Sequence, residues 1–269
     1  MFSKKVTFVV GLTTYNTDLL EISIPALGRL GQRFMLIIHN DNPDAKVTTR
    51  QIRNLGYHGK LHIINSDFNV GLIRARCNIL KYMTEHQITP TWMTFVDDDD
   101  MLTDISIPSV SDTTFAIVQN MAVIRTRLID VLRMARHGQY TIDDENVFLV
   151  RPHIGVTGTI IRTKYLIQWR DIIEQNLEQI SDIDASITFQ IPSDLIMWSG
   201  VNIIATQNGD MPIYMDNINY VATDIDSAQT KYNKPVAPDK NAPKHIRKII
   251  DKYDAIIRNA LNAAPAGQD

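Results

Sequence analysis

The sequence holds one cysteine, Cys77, in 269 residues, which excludes an internal disulfide; its seven histidines are scattered, which argues against a zinc-finger type of cluster. A reducing compartment fits that usage. Long apolar runs are missing too. The first, within MFSKKVTFVVGL, extends only about six residues before Thr13 and Thr14, too short for a signal-peptide core. Nothing approaches the roughly 20 apolar residues of a membrane span. Neither sign of charge dominates: 27 Lys and Arg stand against 30 Asp and Glu, a formal net charge of −3, so the basic face that grips nucleic acid is not expected. What is present, 44% hydrophobic and 21% charged residues, is the composition of a globular protein able to bury about three quarters of its unfolded surface. The expectation is a cytoplasmic protein of roughly one or two domains that acts on small molecules, without nucleic acid as a partner.

Short apolar runs alternate with helix-like segments through the first hundred residues. Strands are predicted at Val6 to Leu12, Phe34 to Ile38, Leu61 to Ile64 and Trp92 to Val96. Helices are predicted at Asp18 to Leu30, where Pro25 intrudes, weakly at Val47 to Leu55, and clearly at Gly71 to His86, with Leu72, Ala75, Ile79, Leu80 and Met83 on one stripe. Such alternation implies βαβ crossovers and a mainly parallel sheet with helices on both faces, an α/β fold. Every strand then ends in polar residues: Thr13-Thr14-Tyr15-Asn16, His39-Asn40-Asp41-Asn42, Asn65-Ser66-Asp67 and Asp97 to Asp100. One such loop is an ordinary turn or cap. Four in succession point to a binding edge, because ligands of open α/β sheets sit outside the carboxyl ends of the strands.

The second half is less regular. Phe115 to Ile124 and Asn146 to Val150 read as strands, Thr163 to Ile180 and Ser193 to Ser199 as helices, and Ala222 to Pro243 as a mobile loop. Lys244 to Ala263 is predicted to be an amphipathic helix, with Ile246, Ile249, Ile250, Tyr253, Ile257 and Leu261 on one stripe. Its Lys244, Arg247, Lys248 and Lys252 suit peripheral contact with an anionic membrane, whereas Asp251 and Asp254 dilute that charge and favour docking on the protein's own core. The expected organisation is a domain over 1–221, divided into a ligand-binding half (1–104) and a second half (105–221), then the loop 222–243 and a helix and tail over 244–269.

Four adjacent carboxylates repel each other by about 1 kcal/mol per close pair in water and by more near a protein interior. A cation relieves that repulsion. In extended backbone Asp97 and Asp99 point to one side, so two carboxylates can converge on one hard cation, Mg²⁺ or Mn²⁺, which completes its shell with water and substrate phosphates. Other phosphate and metal motifs fail. There is no GxxxxGK[ST] loop, no GxGxxG after the first strand, and no frame that gives an EF-hand its sixth-position glycine and twelfth-position glutamate. An aspartyl-phosphate enzyme normally carries its aspartates after the first strand, here after the fourth.

Four segments together, VTFVVGLTTYN at 6–16, IIHNDNPD at 37–44, NVGLIRARCN at 69–78 and FVDDDDML at 95–102, resemble the family 2 glycosyltransferases, inverting enzymes of the GT-A fold. The resemblance covers roughly residues 5 to 200. It implies a nucleotide-sugar donor, with UDP-sugar the expected one, a saccharide or glycolipid acceptor in surface polysaccharide synthesis, and a Mn²⁺ or Mg²⁺ cofactor. Carried onto this chain, Asp99 becomes the main metal ligand, with Asp97 on the metal or the ribose and Asp98 beside the nucleotide-sugar. Thr13, Tyr15 and Asn16 border the nucleotide, Asn40 or Asp41 reads the uracil edge, and Arg76 lies near the base or diphosphate. The family's catalytic base corresponds to Asp194 in Ser193-Asp194-Leu195-Ile196-Met197-Trp198, with Asp182 and Asp184 as rivals. Gly155-Val156-Thr157-Gly158 resembles its acceptor-side segment. The sequence departs from the pattern at His39-Asn40, where an aspartate is usual, and at Ser193, where a glutamate is. A phosphohydrolase and a non-catalytic nucleotide-sugar-binding protein remain as alternatives, and the oligomeric state is open.

Overall fold

The computed structural model describes residues 7–138, 147–176, 193–224 and 242–263. The first half is a βα alternation: β1 (Phe8–Thr14), α1 (Leu20–Arg29) after a short 3₁₀ turn, β2 (Met35–Asn40), α2 (Thr49–Asn54), β3 (Lys60–Asn65), α3 (Leu72–Glu85) and β4 (Trp92–Asp97). The helix α1 runs through Pro25. These four strands lie parallel in the order β3-β2-β1-β4. Every residue of β1 and β2 is buried, which is why both read as uninterrupted apolar runs rather than alternating ones. Their side chains still alternate between two cores: Val9, Met35 and Ile37 join α3 on one face, while Val10, Leu12, Leu36 and Ile38 join α1 and α2 on the other. The chain therefore crosses from β3, at one edge, to β4 on the far side of β1. That reversal makes the carboxyl ends of β1 and β4 a topological switch point, where a crevice opens because the connections leave in opposite directions.

The second half continues the sheet but is mixed in direction. It comprises β5 (Met101–Leu102), β6 (Thr114–Arg125), α4 (Leu128–His137), β7 (Val147–Val150), β8 (Ile160–Arg162), α5 (Thr163–Gln175), α6 (Ser193–Gln207), β9 (Met211–Asp224) and α7 (Ala242–Ala263). The strand β8 pairs antiparallel with β4 and β6, and the long β9 runs parallel to β6 with register shifts before returning over β5. The sheet, expected to be mainly parallel, is parallel through its first four strands and along β6–β9 and antiparallel where β5, β7 and β8 pair.

Two readings change in this half. The strand β9 extends to Asp224, so the segment read as a loop from Ala222 begins in a strand; residues 225–241 lie outside the described residues. The helix expected to stop at Ser199 continues to Gln207. It does so through Gly200, where a β-carbon would stand 2.5 Å from the indole of Trp169. A small residue is needed there for close helix packing, not for ending the helix. The helix α7 packs on α6 and α5 with Ile249, Tyr253, Ile256 and Ile257 buried, so its apolar face is occupied by the protein's own core. Among the described residues no helix is long and apolar enough to cross a membrane.

Candidate functional site

The switch point brings together the ends of two neighbouring strands, with Thr13 in register with Asp97. The strand β4 stops at Asp97 and the chain turns, with the Asp100 amide donating to the Asp97 carbonyl at 3.3 Å. This turn corrects the expected extended alternation, and the four aspartates reach four different surroundings.

Asp97 directs Oδ1 at Arg76 Nη2 (3.0 Å), with the Thr13 hydroxyl at 3.4 Å. Asp98 accepts from the Thr14 hydroxyl at 2.7 Å. Asp100 is buried and fully used: Tyr220 Oη donates to one oxygen at 2.7 Å and the Thr223 amide to the other at 2.8 Å. Asp99 is partly buried, and its carboxylate has no side-chain partner among the described residues. Burial first, and the Asp97 charge second, push its carboxyl up to about 6; burial, Asp99 and Asp97 push Asp98 to about 8. Among the described residues no three His, Cys, Asp or Glu side chains converge as a ready-made metal cage. The donor set available to a hard cation is the Asp99 carboxylate, which has no side-chain partner among the described residues, with Asp97 Oδ2. That leaves most of the coordination shell to water and phosphate, the usual arrangement for Mg²⁺.

Arg76 lies on α3 with no exposed side-chain surface. Its guanidinium forks, one nitrogen to Asp97 and the other to Asp194 Oδ1 in a short ion pair, and it lies 5.4 Å from the Phe95 ring centroid. Gly11 on β1 makes room for that ring, since a β-carbon there would meet it at 2.8 Å. Arg76, expected near the base or diphosphate, is enclosed here and bridges two carboxylates.

Asp194 sits in the first turn of α6, where a carboxylate suits the helix dipole. Its second oxygen accepts from the hydroxyl of Thr157, and the His153 imidazole donates Nε2–H to the Thr157 carbonyl at 2.9 Å. Gly155 lies between them: a β-carbon there would meet His153 Nε2 at 3.1 Å and Asp194 Cβ at 3.5 Å. Burial alone pushes the Asp194 carboxyl up, but Arg76, Thr157 and His153 outweigh it and hold it below the usual carboxylate range. His153 is moved down, mainly by burial, so it is neutral near pH 7. The segment Gly155 to Gly158 thus joins the Asp194 carboxylate to the sheet, the Gly158 amide donating to the Phe95 carbonyl at 2.9 Å.

The remaining predicted residues divide by exposure. Tyr15 is 45% exposed and Asn16 partly so, the latter capping the 3₁₀ turn through the Asp18 amide. Both border the open side. Asn40 is fully buried and donates to the Asn65 side chain (2.9 Å) and to the carbonyls of Asn42 and Ala45. Asp41 accepts from the amides of Val70 (2.8 Å) and Gly71 (2.9 Å), holding the loop that enters α3. Both hold the loops at the carboxyl ends of β2 and β3, Asn40 through backbone carbonyls and the Asn65 side chain, Asp41 through backbone amides. Trp198 is buried 5.8 Å from Phe115, in the core. Asp182 and Asp184 lie outside the described residues. Sequence reasoning did not single out Tyr220 or Thr223, which lie on a strand that was not predicted.

No family model matches the chain, and no curated protein matches its sequence. Solved structures that resemble it include the nucleoside-diphosphate-sugar pyrophosphorylase from Vibrio cholerae RC9, with 11% identity over 84% of this chain and 98% of that one, at a TM-score of 0.44. The apo-form glycosyltransferase GlyE of Streptococcus pneumoniae TIGR4 aligns over 96% of this chain and 63% of that one, with 9% identity and a TM-score of 0.38. HddC from Yersinia pseudotuberculosis aligns over 61% and 80%, with 15% identity and a TM-score of 0.32. Likenesses this distant carry no argument about activity, which has to come from the residues of the site.

Proposed function

We propose that the chain is a cation-dependent inverting glycosyltransferase that moves a sugar from a nucleotide-sugar donor, a UDP-sugar in the expected case, to a saccharide or glycolipid acceptor. The observation that carries this reading is the Asp99 carboxylate at the switch point, which has no side-chain partner among the described residues and is pushed up to about 6 by burial and by the neighbouring Asp97 charge. Asp99 and Asp97 would hold Mn²⁺ or Mg²⁺, which would supply the charge that neutralises a departing diphosphate. Thr13, Thr14, Tyr15 and Asn16 line the donor side. On the acceptor side, Asp194 removes the proton from the incoming hydroxyl as its oxygen bonds to the anomeric carbon and the bond to the diphosphate oxygen breaks.

A thermal-shift and calorimetric screen of nucleotides and nucleotide-sugars, with and without Mn²⁺, tests the reading. UDP or a UDP-sugar should bind with Mn²⁺ and lose that binding in Asp99→Ala. Equal binding by the variant sinks the cation assignment. One observation favours a second reading, a nucleotide-sugar-binding protein without transfer: both Asp194 oxygens are engaged, which weakens it as a base. Release of UDP from UDP-sugar in the presence of Mn²⁺, absent in Asp194→Asn, decides for the transferase.

A further inference from the structure

The structure places one guanidinium in contact with both halves of the candidate site. Asp97 belongs to the donor-side turn and Asp194 to the first turn of α6, 97 residues further along the chain. Arg76 touches both through separate nitrogens, from a side chain with no exposed surface. Its third nitrogen, Nε, is buried with no partner. The ion pair is therefore not saturated, and the charge of one cation is divided between two carboxylates that face different substrates.

We propose that Arg76 is a positioning residue that couples cation binding at Asp97 and Asp99 to the acceptor-side carboxylate Asp194. This inference rests on the cation-binding reading of the aspartate turn. Two positive charges compete for Asp97: the guanidinium beside it and an incoming dication. Asp194 draws part of the guanidinium's field to itself, and so lowers the repulsion that the dication meets. By reciprocity a dication on Asp97 turns Arg76 more fully toward Asp194 and holds that carboxylate in place for the acceptor. The coupling passes through a buried contact, so salt screens it far less than it screens charges interacting through solvent.

Mn²⁺ affinity, read from free Mn²⁺ by electron paramagnetic resonance, tests this without any requirement for turnover. Asp194 is not a cation ligand in this scheme. Even so, Asp194→Asn should weaken Mn²⁺ binding about tenfold, equivalent to about 1.4 kcal/mol, because the whole guanidinium charge then falls on Asp97. The loss should persist at about 0.5 M salt. In an Arg76→Met background the same substitution should change affinity less than about twofold, the non-additivity expected when two residues act through a third. Removing Arg76 leaves two partly buried carboxylates without their cation and can prevent folding; the salt series on Asp194→Asn then decides alone. Unchanged Mn²⁺ affinity in Asp194→Asn, or a loss that disappears at high salt, overturns the coupling while leaving the cation site standing. Failure of the wild-type chain to bind Mn²⁺ overturns both readings.

Discussion

Gly158 offers a test in which the magnitude can be worked from the structure. Its φ is +73°, and a β-carbon there would stand 2.6 Å from Tyr220 Cβ, 2.7 Å from Cγ and 2.8 Å from Cδ2. Two costs follow from Gly158→Ala. An alanine in left-handed backbone is disfavoured by about 1–2 kcal/mol. The clash adds an overpacking term of about 1–3 kcal/mol, because the atoms it meets lie at the root of a buried ring and cannot swing aside. The sum is about 2–5 kcal/mol, measurable as a lower urea midpoint at unchanged m-value. Gly209 separates the two terms: its φ is +77° and a β-carbon there would meet nothing within 4 Å, so Gly209→Ala should cost about 1–2 kcal/mol, the backbone part alone. The consequence for the site is specific. Displacing Tyr220 withdraws the hydroxyl that donates to Asp100, so Gly158→Ala should also weaken Mn²⁺-dependent UDP binding, while Gly209→Ala should not. Equal destabilisation by the two substitutions would refute the argument from close approach.

Other outcomes follow from the same geometry. Tyr220→Phe removes one donor from a buried carboxylate and should cost about 1–3 kcal/mol in urea unfolding; a loss below about 0.5 kcal/mol would mean that Asp100 finds another donor. Asp98 and Asp99 titrate near 8 and 6 in the folded chain, against about 4 when unfolded. The folded state therefore holds more protons between these values, and without divalent cations stability should fall as pH rises from about 5 to 9. Thermal melts at several pH values check this, and the slope should shrink in Asp98→Asn. A flat or rising profile over that range, or the same slope in the variant, contradicts the raised carboxyls.

The parallel half of the fold was legible because burial on both faces leaves an apolar run with a polar end. The predicted starts and stops of β2, β3 and β4 fall within one or two residues of the observed ones. The long β9 was not legible. Asp216, Asn217 and Asn219 break its pattern, yet Asn219 is buried because its side chain donates to the Gly158 carbonyl at 2.7 Å. A strand whose inward residues serve a site reads as a loop. The same reason limits the site. The aspartates and Asp194 were visible as residue types, but Arg76 meets Asp194 across 118 positions and Tyr220 meets Asp100 across 120. Only the strand order makes those pairs neighbours.

Charge accounting at the switch point constrains what can bind there. Five carboxylates, Asp97 to Asp100 and Asp194, stand around the turn, and one buried guanidinium, Arg76, pairs with two of them, Asp97 and Asp194. Hydrogen bonds settle Asp100 locally, and Thr14 partly settles Asp98. The remainder is a surplus of negative charge, which adds to burial in displacing the Asp98 and Asp99 carboxyls upward. A nucleoside diphosphate entering such a place adds further negative charge, and Arg76 is already committed and enclosed. Donor binding without a divalent cation is therefore opposed by the field of the site itself. If the proposed donor binds, chelating the cation should abolish its binding and not merely slow turnover, and the dependence should steepen as pH rises and the protons that substitute for the cation are lost.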